Sequence, residues 1–234
     1  MERVLILGGS GLLGRNLLKL IDNQKYKVFS PSSKQLNVKN KQQIENFFNT
    51  NKIDICIHCA ALKNVKKIQT SEKELLDCID VNIVGTANIL SECIKRKIKL
   101  VFISTDHVFD GKKGNYIPSD SINPITKYAK TKASAELMVR TYHNSLIIRT
   151  SFFDLHFPYE IAYNNQWSTK DYIDIMAPKI LKACLSDKIG ICHIASKKRT
   201  MFELAKMRNS KIQKGLISND NCIIPRDTSL KETE

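Results

Sequence analysis

RVLILGGSGLLGRN, at residues 3–16, is the stretch that decides the fold of this chain. Its four apolar residues from Val4 to Leu7 are typical of a strand buried on both faces of a parallel sheet. A glycine cluster ends this run, and leucines recur at helical spacing from Leu12 onwards. The stretch therefore predicts a strand, a tight turn and a helix.

The glycines of this turn indicate a nucleotide site. Gly8, Gly11 and Gly14 have the spacing G-x-x-G-x-x-G. The start of a helix presents free backbone N–H groups and the positive end of its dipole, which together bind a diphosphate. The first glycine would permit the turn, the second a close approach of the diphosphate, and the third close packing of helix on strand. Other strand-to-helix turns carry glycines too, but the position of this triplet predicts a dinucleotide site.

Strands and helices alternate along the rest of the chain. Further buried strands are predicted at residues 26–29, 53–58, 100–103 and 146–148, with helices at 41–50, 72–97 and 124–142. This alternation predicts an α/β fold with a Rossmann-type doubly wound parallel sheet. We place an NAD(P)-binding domain at residues 1–153 and a small C-terminal substrate-binding lobe, interleaved with the end of the sheet, at 154–234. In that lobe we expect a helix at 172–185, a strand at 190–194, a helix at 200–207 and a polar, partly disordered tail from 218.

The composition is that of a globular protein with an excess of positive charge, +14 at pH 7. Met1 leads straight into the first strand, and no apolar stretch reaches membrane-spanning length, so we expect a cytoplasmic protein with no membrane partner. Most of the positive residues are lysines without interleaved aromatic residues, so we expect no nucleic-acid partner.

The seven cysteines predict neither a disulfide framework nor a metal site, because their number is odd and their spacing irregular. Cys56 and Cys59 form a C-x-x-C, but they lie in or beside an apolar strand, where side chains three positions apart point to opposite faces. We expect both to be small buried residues.

The loop after the second predicted strand bears on the choice of cofactor. NAD sites usually place an Asp or Glu about 20 residues beyond the glycines, on the ribose 2′-hydroxyl. Residues 23–44 contain no acidic residue. Hydroxyl groups and a cation, which suit a 2′-phosphate, follow the strand instead, at Ser30, Ser32, Ser33 and Lys34. We therefore expect NADP as the cofactor, with NAD open as the alternative.

A tyrosine and a lysine form a candidate proton-transfer pair. Asn123 and Pro124 predict the N-cap and first turn of a helix that carries Tyr128 and Lys132 on one face. An ammonium group nearby favours a phenolate and lowers the pKa of a tyrosine. Thr105, at the end of the fourth strand, could hydrogen-bond the same substrate oxygen. The motif Y-x-x-x-K alone is common, and it also describes an exposed helical pair.

The motifs together are more specific than any one of them. In chain order they are the glycine triplet, Cys59-Ala60-Ala61, Asp80-Val81-Asn82, STDHVFDG at 104–111, NPITKYAKTK at 123–132 and RTSFF at 149–153. This series resembles the extended short-chain dehydrogenase/reductases that act on sugar nucleotides. The closest resemblance is to the dTDP-4-dehydrorhamnose reductase family, and it covers residues 1–153 well and the remainder loosely.

The resemblance implies an NADP-preferring oxidoreductase of deoxysugar and polysaccharide biosynthesis. Its substrate would be a nucleotide-linked 4-keto-6-deoxy sugar, carrying dTDP or UDP, whose 4-keto group receives a hydride from the nicotinamide. Tyr128 would give the proton to the carbonyl oxygen, and Thr105 would polarise the ketone. Lys132 would lower the pKa of the tyrosine and hold the nicotinamide ribose.

The resemblance also implies residues that bind the two ligands. Beside the glycines and the loop of Ser30, the cofactor-binding residues are Leu12, Leu13, Asn37, Val38, Ala60, Ala61, Leu62, Asn82, Tyr128 and Lys132. Those that touch the sugar nucleotide are Thr105, Asp106 and Phe152. Three positions depart from the family pattern: His107 stands for a tyrosine, Asn37 for an aspartate facing the adenine, and Phe152 for a tryptophan.

Two other functions stay open at this point. Tyr128, Lys132 and Thr105 would also serve an NAD-dependent sugar-nucleotide epimerase. Some members of this fold group are non-catalytic nucleotide-binding regulatory subunits, as in methionine adenosyltransferase, and the short C-terminal lobe leaves room for that role. A homodimer formed through the long helices is usual for the resemblance.

Overall fold

The structure, a computed structural model, describes residues 1–218 and 224–233. Its first 150 residues alternate strands and helices as predicted. In chain order the elements are β1 (Glu2–Leu7), α1 (Leu12–Leu20), β2 (Tyr26–Phe29), α2 (Lys41–Thr50), β3 (Ile55–His58), α3 (Val65–Thr70), α4 (Glu72–Ile79), α5 (Gly85–Arg96), β4 (Lys99–Thr105), α6 (Lys127–Val139) and β5 (Ser145–Thr150).

Short elements dominate the remainder of the chain. They are β6 (Phe152–Phe153), β7 (Ile161–Tyr163), β8 (Trp167–Ser168), β9 (Asp171–Tyr172), α7 (Ile173–Cys184), β10 (Gly190–His193), β11 (Arg199–Thr200), α8 (Met201–Lys206) and β12 (Gln213–Gly215). The helices predicted at 172–185 and 200–207 and the strand at 190–194 are thereby confirmed to within two residues.

One parallel sheet of six strands forms the centre of the molecule, in the order β10-β5-β4-β3-β1-β2. β1 lies inside this sheet, and Val4 to Leu7 are buried on both of its faces, as their apolar run predicts. Helices α1 and α7 cover one face, and α2, α5 and α6 cover the other. The predicted Rossmann-type, doubly wound sheet is confirmed. Its sixth strand, β10, comes from beyond residue 153 and pairs with β5.

Two helix predictions are corrected in detail. The helix expected at 72–97 contains a turn of π-helix at Asp80–Val84, between α4 and α5. The helix of Tyr128 starts at Lys127, because Thr126 caps it by accepting a hydrogen bond from the Ala129 N–H at 3.1 Å. Asn123 is not the N-cap: its backbone N–H donates to the Val108 carbonyl and its amide to Asp110. These bonds tie Asn123 into the preceding loop.

The polar tail is also more ordered than predicted. Residues 219–223 lie outside the described residues, but 224–233 pack onto the body of the protein. Within that segment Thr228, Ser229 and Leu230 are buried. Hydrogen bonds hold this segment on two sides. The Tyr116 N–H donates to the Ser229 carbonyl, and the Thr228 N–H donates to the Trp167 carbonyl.

Candidate active site

The glycine turn lies at the carboxyl end of β1, where the sequence places it. Gly8 has a φ of +77°, a left-handed conformation that favours glycine, and its carbonyl accepts a hydrogen bond from the Gly11 N–H at 2.9 Å. A Cβ on Gly14 would lie 2.3 Å from the Gly8 oxygen, so α1 packs too closely on the turn for any side chain there. Gly11, at the N-cap of α1, is exposed. The turn thus presents open backbone at the start of a helix.

The end of β3 packs directly against this turn. A Cβ on Gly8 would lie 2.7 Å from the Ala60 nitrogen, and Cys59 N–H donates to the Leu7 carbonyl. Ala60 and Ala61 are half-buried, and Leu62 is partly exposed. Small side chains here leave the backbone accessible to a flat ligand. The structure therefore brings the residues predicted to line the cofactor next to the glycine turn.

Asn82 holds this strand end in place. Its side-chain oxygen accepts from the Leu62 N–H at 2.9 Å, and its amide donates to the Leu62 carbonyl and the Thr131 hydroxyl, both at 3.0 Å. The Thr131 hydroxyl in turn donates to the Tyr128 carbonyl. Asn82 is 1% exposed and lies in the π-helical turn. It links the strand end to the helix of Tyr128 and supports the cofactor site from behind.

The loop after β2 stands beside the glycine turn. A Cβ on Gly9 would lie 1.9 Å from the Ser30 hydroxyl, so this serine reaches the turn. Ser33 and Lys34 are exposed, while the Ser32 N–H and hydroxyl donate to the Gln35 side chain. The loop therefore brings the Ser30 hydroxyl to the glycine turn and exposes Ser33 and Lys34 to solvent.

Asn37 and Val38 differ in exposure. Asn37 is half-buried, its N–H donates to Gln43, and its side-chain oxygen accepts from the Lys39 N–H. Val38 is buried against Gly85 of α5, and its carbonyl accepts from the Asn88 amide. The side chain of Val38 is thus part of the core.

Lys132 points from α6 to the carboxyl end of β4. Its ammonium donates to the Ile103 carbonyl at 2.7 Å and lies 4.0 Å from the centre of the Phe102 ring. The side chain is buried, and burial lowers the pKa of Lys132 from 10.5 to about 8. At neutral pH Lys132 is a buried cation, bound to the carbonyl of Ile103, which lies two residues before Thr105 in β4.

Tyr128 lies one helical turn before Lys132 and is half-buried. Burial first, and then the charge of Asp106, raise the pKa of its phenol well above the usual range. The expectation that Lys132 lowers this pKa is therefore wrong for the protein by itself. The reason is that burial disfavours the phenolate, while the lysine is engaged with a backbone carbonyl. Tyr128 is consequently protonated at neutral pH, the form that can donate a proton.

Thr105 and Asp106 meet at the end of β4. The Thr105 hydroxyl donates to one Asp106 carboxylate oxygen at 3.1 Å and accepts from the His107 N–H at 3.2 Å. The other carboxylate oxygen accepts from the Thr228 hydroxyl at 2.7 Å. Burial alone would raise the pKa of Asp106. His107, Lys170 and hydroxyl donors outweigh this effect and hold the pKa below its usual range.

His107 stands beside this carboxylate. Its Nε2 lies 3.9 Å from an Asp106 oxygen, and its buried Nδ1 has no hydrogen-bond partner. Burial lowers the pKa of His107 despite the carboxylate, so the ring is neutral at pH 7. His107 is thus a neutral imidazole in the position where the family pattern has a phenol.

Phe152 leaves β5 on the side of Asp106. It forms β6, which pairs with β9, and it packs half-buried against the core. Trp167, the single tryptophan, is 40% exposed, and the Lys198 ammonium lies 5.8 Å from its ring. Trp167 is therefore not a core residue.

Sequence reasoning missed the residues that reach this site from the end of the chain. Thr228 is one, and Ser168 and Lys170 are others, since both interact with Asp106. They lie more than 60 residues from Asp106 in short, irregular segments without periodicity. Among the described residues, no group of His, Cys, Asp and Glu side chains is arranged to hold a metal ion.

The arrangement fits a dinucleotide cofactor. The glycine turn is a cradle that a Cβ at Gly8 or Gly14 would obstruct, it opens at a helix N-terminus, and the small strand end of β3 lies next to it. Lys132 and Tyr128 stand at the same edge of the sheet. The fold and the site together define an extended short-chain dehydrogenase/reductase.

Comparison with known proteins gives the particular family. The family model described as the RmlD substrate binding domain matches residues 1–155, and the chain belongs to this family. The chain is 35% identical over 155 residues to the dTDP-4-dehydrorhamnose reductase of Aggregatibacter actinomycetemcomitans. This match covers 65% of this chain and 52% of that protein. The chain is 32% identical over 154 residues to the spore coat polysaccharide biosynthesis protein SpsK of Bacillus subtilis, with 65% and 53% covered.

A solved structure extends the likeness to the whole chain. The dTDP-4-dehydrorhamnose reductase of Bacillus anthracis, in complex with NADP, superposes with a TM-score of 0.88 at 25% identity, over 100% of this chain and 91% of that one. The chain spans about half the length of the curated relatives that it matches. Within residues 1–218 and 224–233, no helix is both long and apolar enough to span a membrane.

Proposed function

We propose that the protein is an NADPH-dependent reductase of a nucleotide-linked 4-keto-6-deoxy sugar, in deoxysugar or polysaccharide biosynthesis. One observation carries this proposal. Protonated Tyr128, Thr105 and the buried cation Lys132 lie at the carboxyl end of β4, the same edge of the sheet as the glycine turn. A reductase needs a proton donor, a polarising hydroxyl and a dinucleotide cradle together.

Tyr128 acts as the general acid. The reduced cofactor supplies the hydride when it is bound, and the developing alkoxide takes its proton from the phenol of Tyr128. The raised pKa of this phenol keeps it protonated until negative charge forms on the carbonyl oxygen. Positioned general acids of this kind contribute roughly 10²- to 10⁴-fold to a rate.

Thr105 and Asp106 orient the ketone. The Thr105 hydroxyl, which donates to Asp106 in this structure, can turn to donate to the carbonyl oxygen. The Asp106 carboxylate then accepts from sugar hydroxyls. Phe152 would offer an apolar surface to the sugar but lacks the indole donor of the tryptophan in the family pattern.

Lys132 and the glycine turn hold the cofactor. The Lys132 ammonium would donate to the nicotinamide ribose, and the N–H groups at the start of α1 would bind the diphosphate. Ser30, Ser33 and Lys34 would meet a 2′-phosphate, which favours NADP over NAD. The complex of the Bacillus anthracis reductase with NADP supports the same cofactor.

The loss of absorbance at 340 nm tests the proposal. NADPH, and separately NADH, is mixed with enzymatically prepared dTDP- or UDP-4-keto-6-deoxyglucose and a 3,5-epimerase. We expect wild-type protein to oxidise NADPH faster than NADH, and Tyr128→Phe to lower kcat by about 10²-fold or more. Binding of NADPH to Tyr128→Phe, measured by fluorescence, should stay within a few fold of wild type.

The same assay separates the alternatives. An epimerase would convert the sugar while total NADPH stays constant, since its cofactor is regenerated in each cycle. A regulatory subunit would bind NADPH tightly and turn over no keto sugar, and a stable protein partner would co-purify with it. Either result would contradict the reductase proposal.

A further inference from the structure

The last described segment of the chain crosses the active site. Residues 225–230, which we call the C-terminal strap, lie between the loop at 111–116 and the segment of Trp167. Asp227 N–H donates to the Gly111 carbonyl at 3.0 Å, and Thr228 N–H donates to the Trp167 carbonyl at 3.1 Å. The strap is therefore anchored on both sides by backbone hydrogen bonds.

Two glycines shape the loop to receive this strap. Gly111 and Gly114 have φ of +78° and +67°. A Cβ on Gly111 would lie 2.5 Å from Pro225, and one on Gly114 would lie 2.2 Å from an Asp227 carboxylate oxygen. A side chain at Gly111 would therefore push against the backbone of the strap, and one at Gly114 would displace the Asp227 carboxylate.

One strap side chain reaches the active site. The Thr228 hydroxyl donates to an Asp106 carboxylate oxygen at 2.7 Å, and Thr228 is 4% exposed. Ser168 donates to the same oxygen at the longer distance of 3.4 Å. The opposite carboxylate oxygen accepts from the Thr105 hydroxyl at 3.1 Å. The carboxylate thus connects the strap to the hydroxyl that faces the ketone.

We propose that Thr228 is a positioning residue of the active site: it fixes the Asp106 carboxylate, which holds the Thr105 hydroxyl before the ketone binds and accepts from the sugar hydroxyls afterwards. This inference rests on the proposed reductase function. Thr228 lies 122 residues from Asp106 in the sequence.

The environment of Asp106 explains why one hydroxyl matters. Asp106 is 1% exposed, and a buried carboxylate is stable as an ion only if hydrogen bonds and nearby cations replace water. The hydrogen bond from the Thr228 hydroxyl, at 2.7 Å, is shorter than those that Asp106 accepts from Thr105 and Ser168. Without it, this carboxylate oxygen keeps the longer contact from Ser168, while Ser151, His107 and Lys170 still face the carboxylate. Asp106 loses its strongest hydroxyl donor and becomes easier to protonate.

The test compares Thr228→Val, Thr228→Ser and a control, Thr233→Val. Valine keeps the shape of threonine but cannot donate, while serine keeps the hydroxyl. Thr233 lies beyond the strap, and its hydroxyl accepts from the His193 N–H rather than contacting Asp106. Each protein is assayed as the full chain for kcat, for KM of NADPH and of the keto sugar, for the pH profile and for thermal stability.

We expect Thr228→Val to lower kcat/KM for the sugar about tenfold, as a lost hydrogen bond to a charged group does, with KM for NADPH unchanged. The acid limb of the pH profile should move to higher pH, because Asp106 loses a donor that favours its ionised form. Thr228→Ser should restore both quantities, and Thr233→Val should alter neither. A merely structural role would lower thermal stability without moving the acid limb.

Two results overturn the inference. The first is a Thr228→Val protein with sugar kinetics within twofold of wild type. The second is an unmoved acid limb. Inactive wild-type protein would instead contradict the proposed function. In that case the inference about Thr228 is tested by calorimetric titration of wild type and Thr228→Val with dTDP-glucose. Equal Kd values for the two proteins overturn the inference.

Discussion

At the scale of single residues, the site contains a cation that weakens the fold. Lys132 is buried and makes one hydrogen bond, to the Ile103 carbonyl, and a contact with the Phe102 ring. These contacts do not replace full hydration, so burial lowers the pKa of Lys132 to about 8. A lowered pKa of a cation means that the charged form destabilises the folded state.

Replacement of Lys132 by Met should stabilise the protein and abolish its activity. A pKa lowered from 10.5 to about 8 corresponds to at most about 3 kcal/mol, and the lost bond to Ile103 reduces the gain to about 1–2 kcal/mol at pH 7. Urea unfolding of the wild type and of Lys132→Met measures this difference in the free energy of unfolding. The group binds fewer protons when folded, so the wild type gains stability as pH rises from 8 to about 10.5. The difference between the two proteins should therefore shrink over that range, and a constant difference would contradict the assignment.

At the scale of elements, the turn between β1 and α1 combines tight packing with an open face. The backbone atoms of Gly8 and Gly9 lie where a Gly14 side chain would be, while at Gly11 the nearest atom to an added Cβ is 3.2 Å away. The glycine spacing predicted this turn because each of its constraints is local. The same holds for α1, whose Leu13 and Leu17 are buried in the core. By contrast, the start of α6 depends on what Asn123 contacts outside the helix.

Gly14→Ala should disrupt this turn far more than Gly11→Ala. The new methyl group of Gly14→Ala would lie 2.3 Å from the Gly8 oxygen and 2.6 Å from the Gly9 Cα, so backbone atoms must move. We expect a loss of about 2–3 kcal/mol in the free energy of unfolding and weaker NADPH binding. Gly11→Ala should lose less than about 1 kcal/mol, because its contact can relax by a few tenths of an ångström. Denaturant unfolding measures the free energy of unfolding of both variants. Equal losses would show that the close packing of α1 on the turn does not set the stability at Gly14.

At the scale of the whole molecule, segments from distant parts of the chain complete the site. β10 joins the sheet beside β5, and the C-terminal strap lies against the loop that follows β4. A buried ion pair of Arg149 with Glu136, whose carboxylate also accepts from Ser104, connects β5, α6 and β4 behind the site. The residues that position Asp106 thus depend on long-range packing.

Gly114→Ala should loosen the strap. The left-handed φ of +67° disfavours alanine, and the methyl group would displace the Asp227 carboxylate from its ion pair with Lys198. Gly190 is the matched control, because its φ is +82° but nothing lies within 4 Å of an added Cβ. We expect Gly190→Ala to lose about 1 kcal/mol from backbone strain and Gly114→Ala about 1–3 kcal/mol more. Thermal unfolding and the rate of proteolysis near the C-terminus measure the difference.

The sequence by itself determined the parallel sheet, the glycine turn and the helix that carries Tyr128 and Lys132. Each has a local signal in the chain: apolar runs, glycine spacing, and Tyr128 four positions before Lys132. Only the tertiary structure decided the direction in which the pKa of Tyr128 shifts and the surroundings of Asp106. Burial and charge depend on groups such as Thr228 and Lys170, which no local pattern connects to the site.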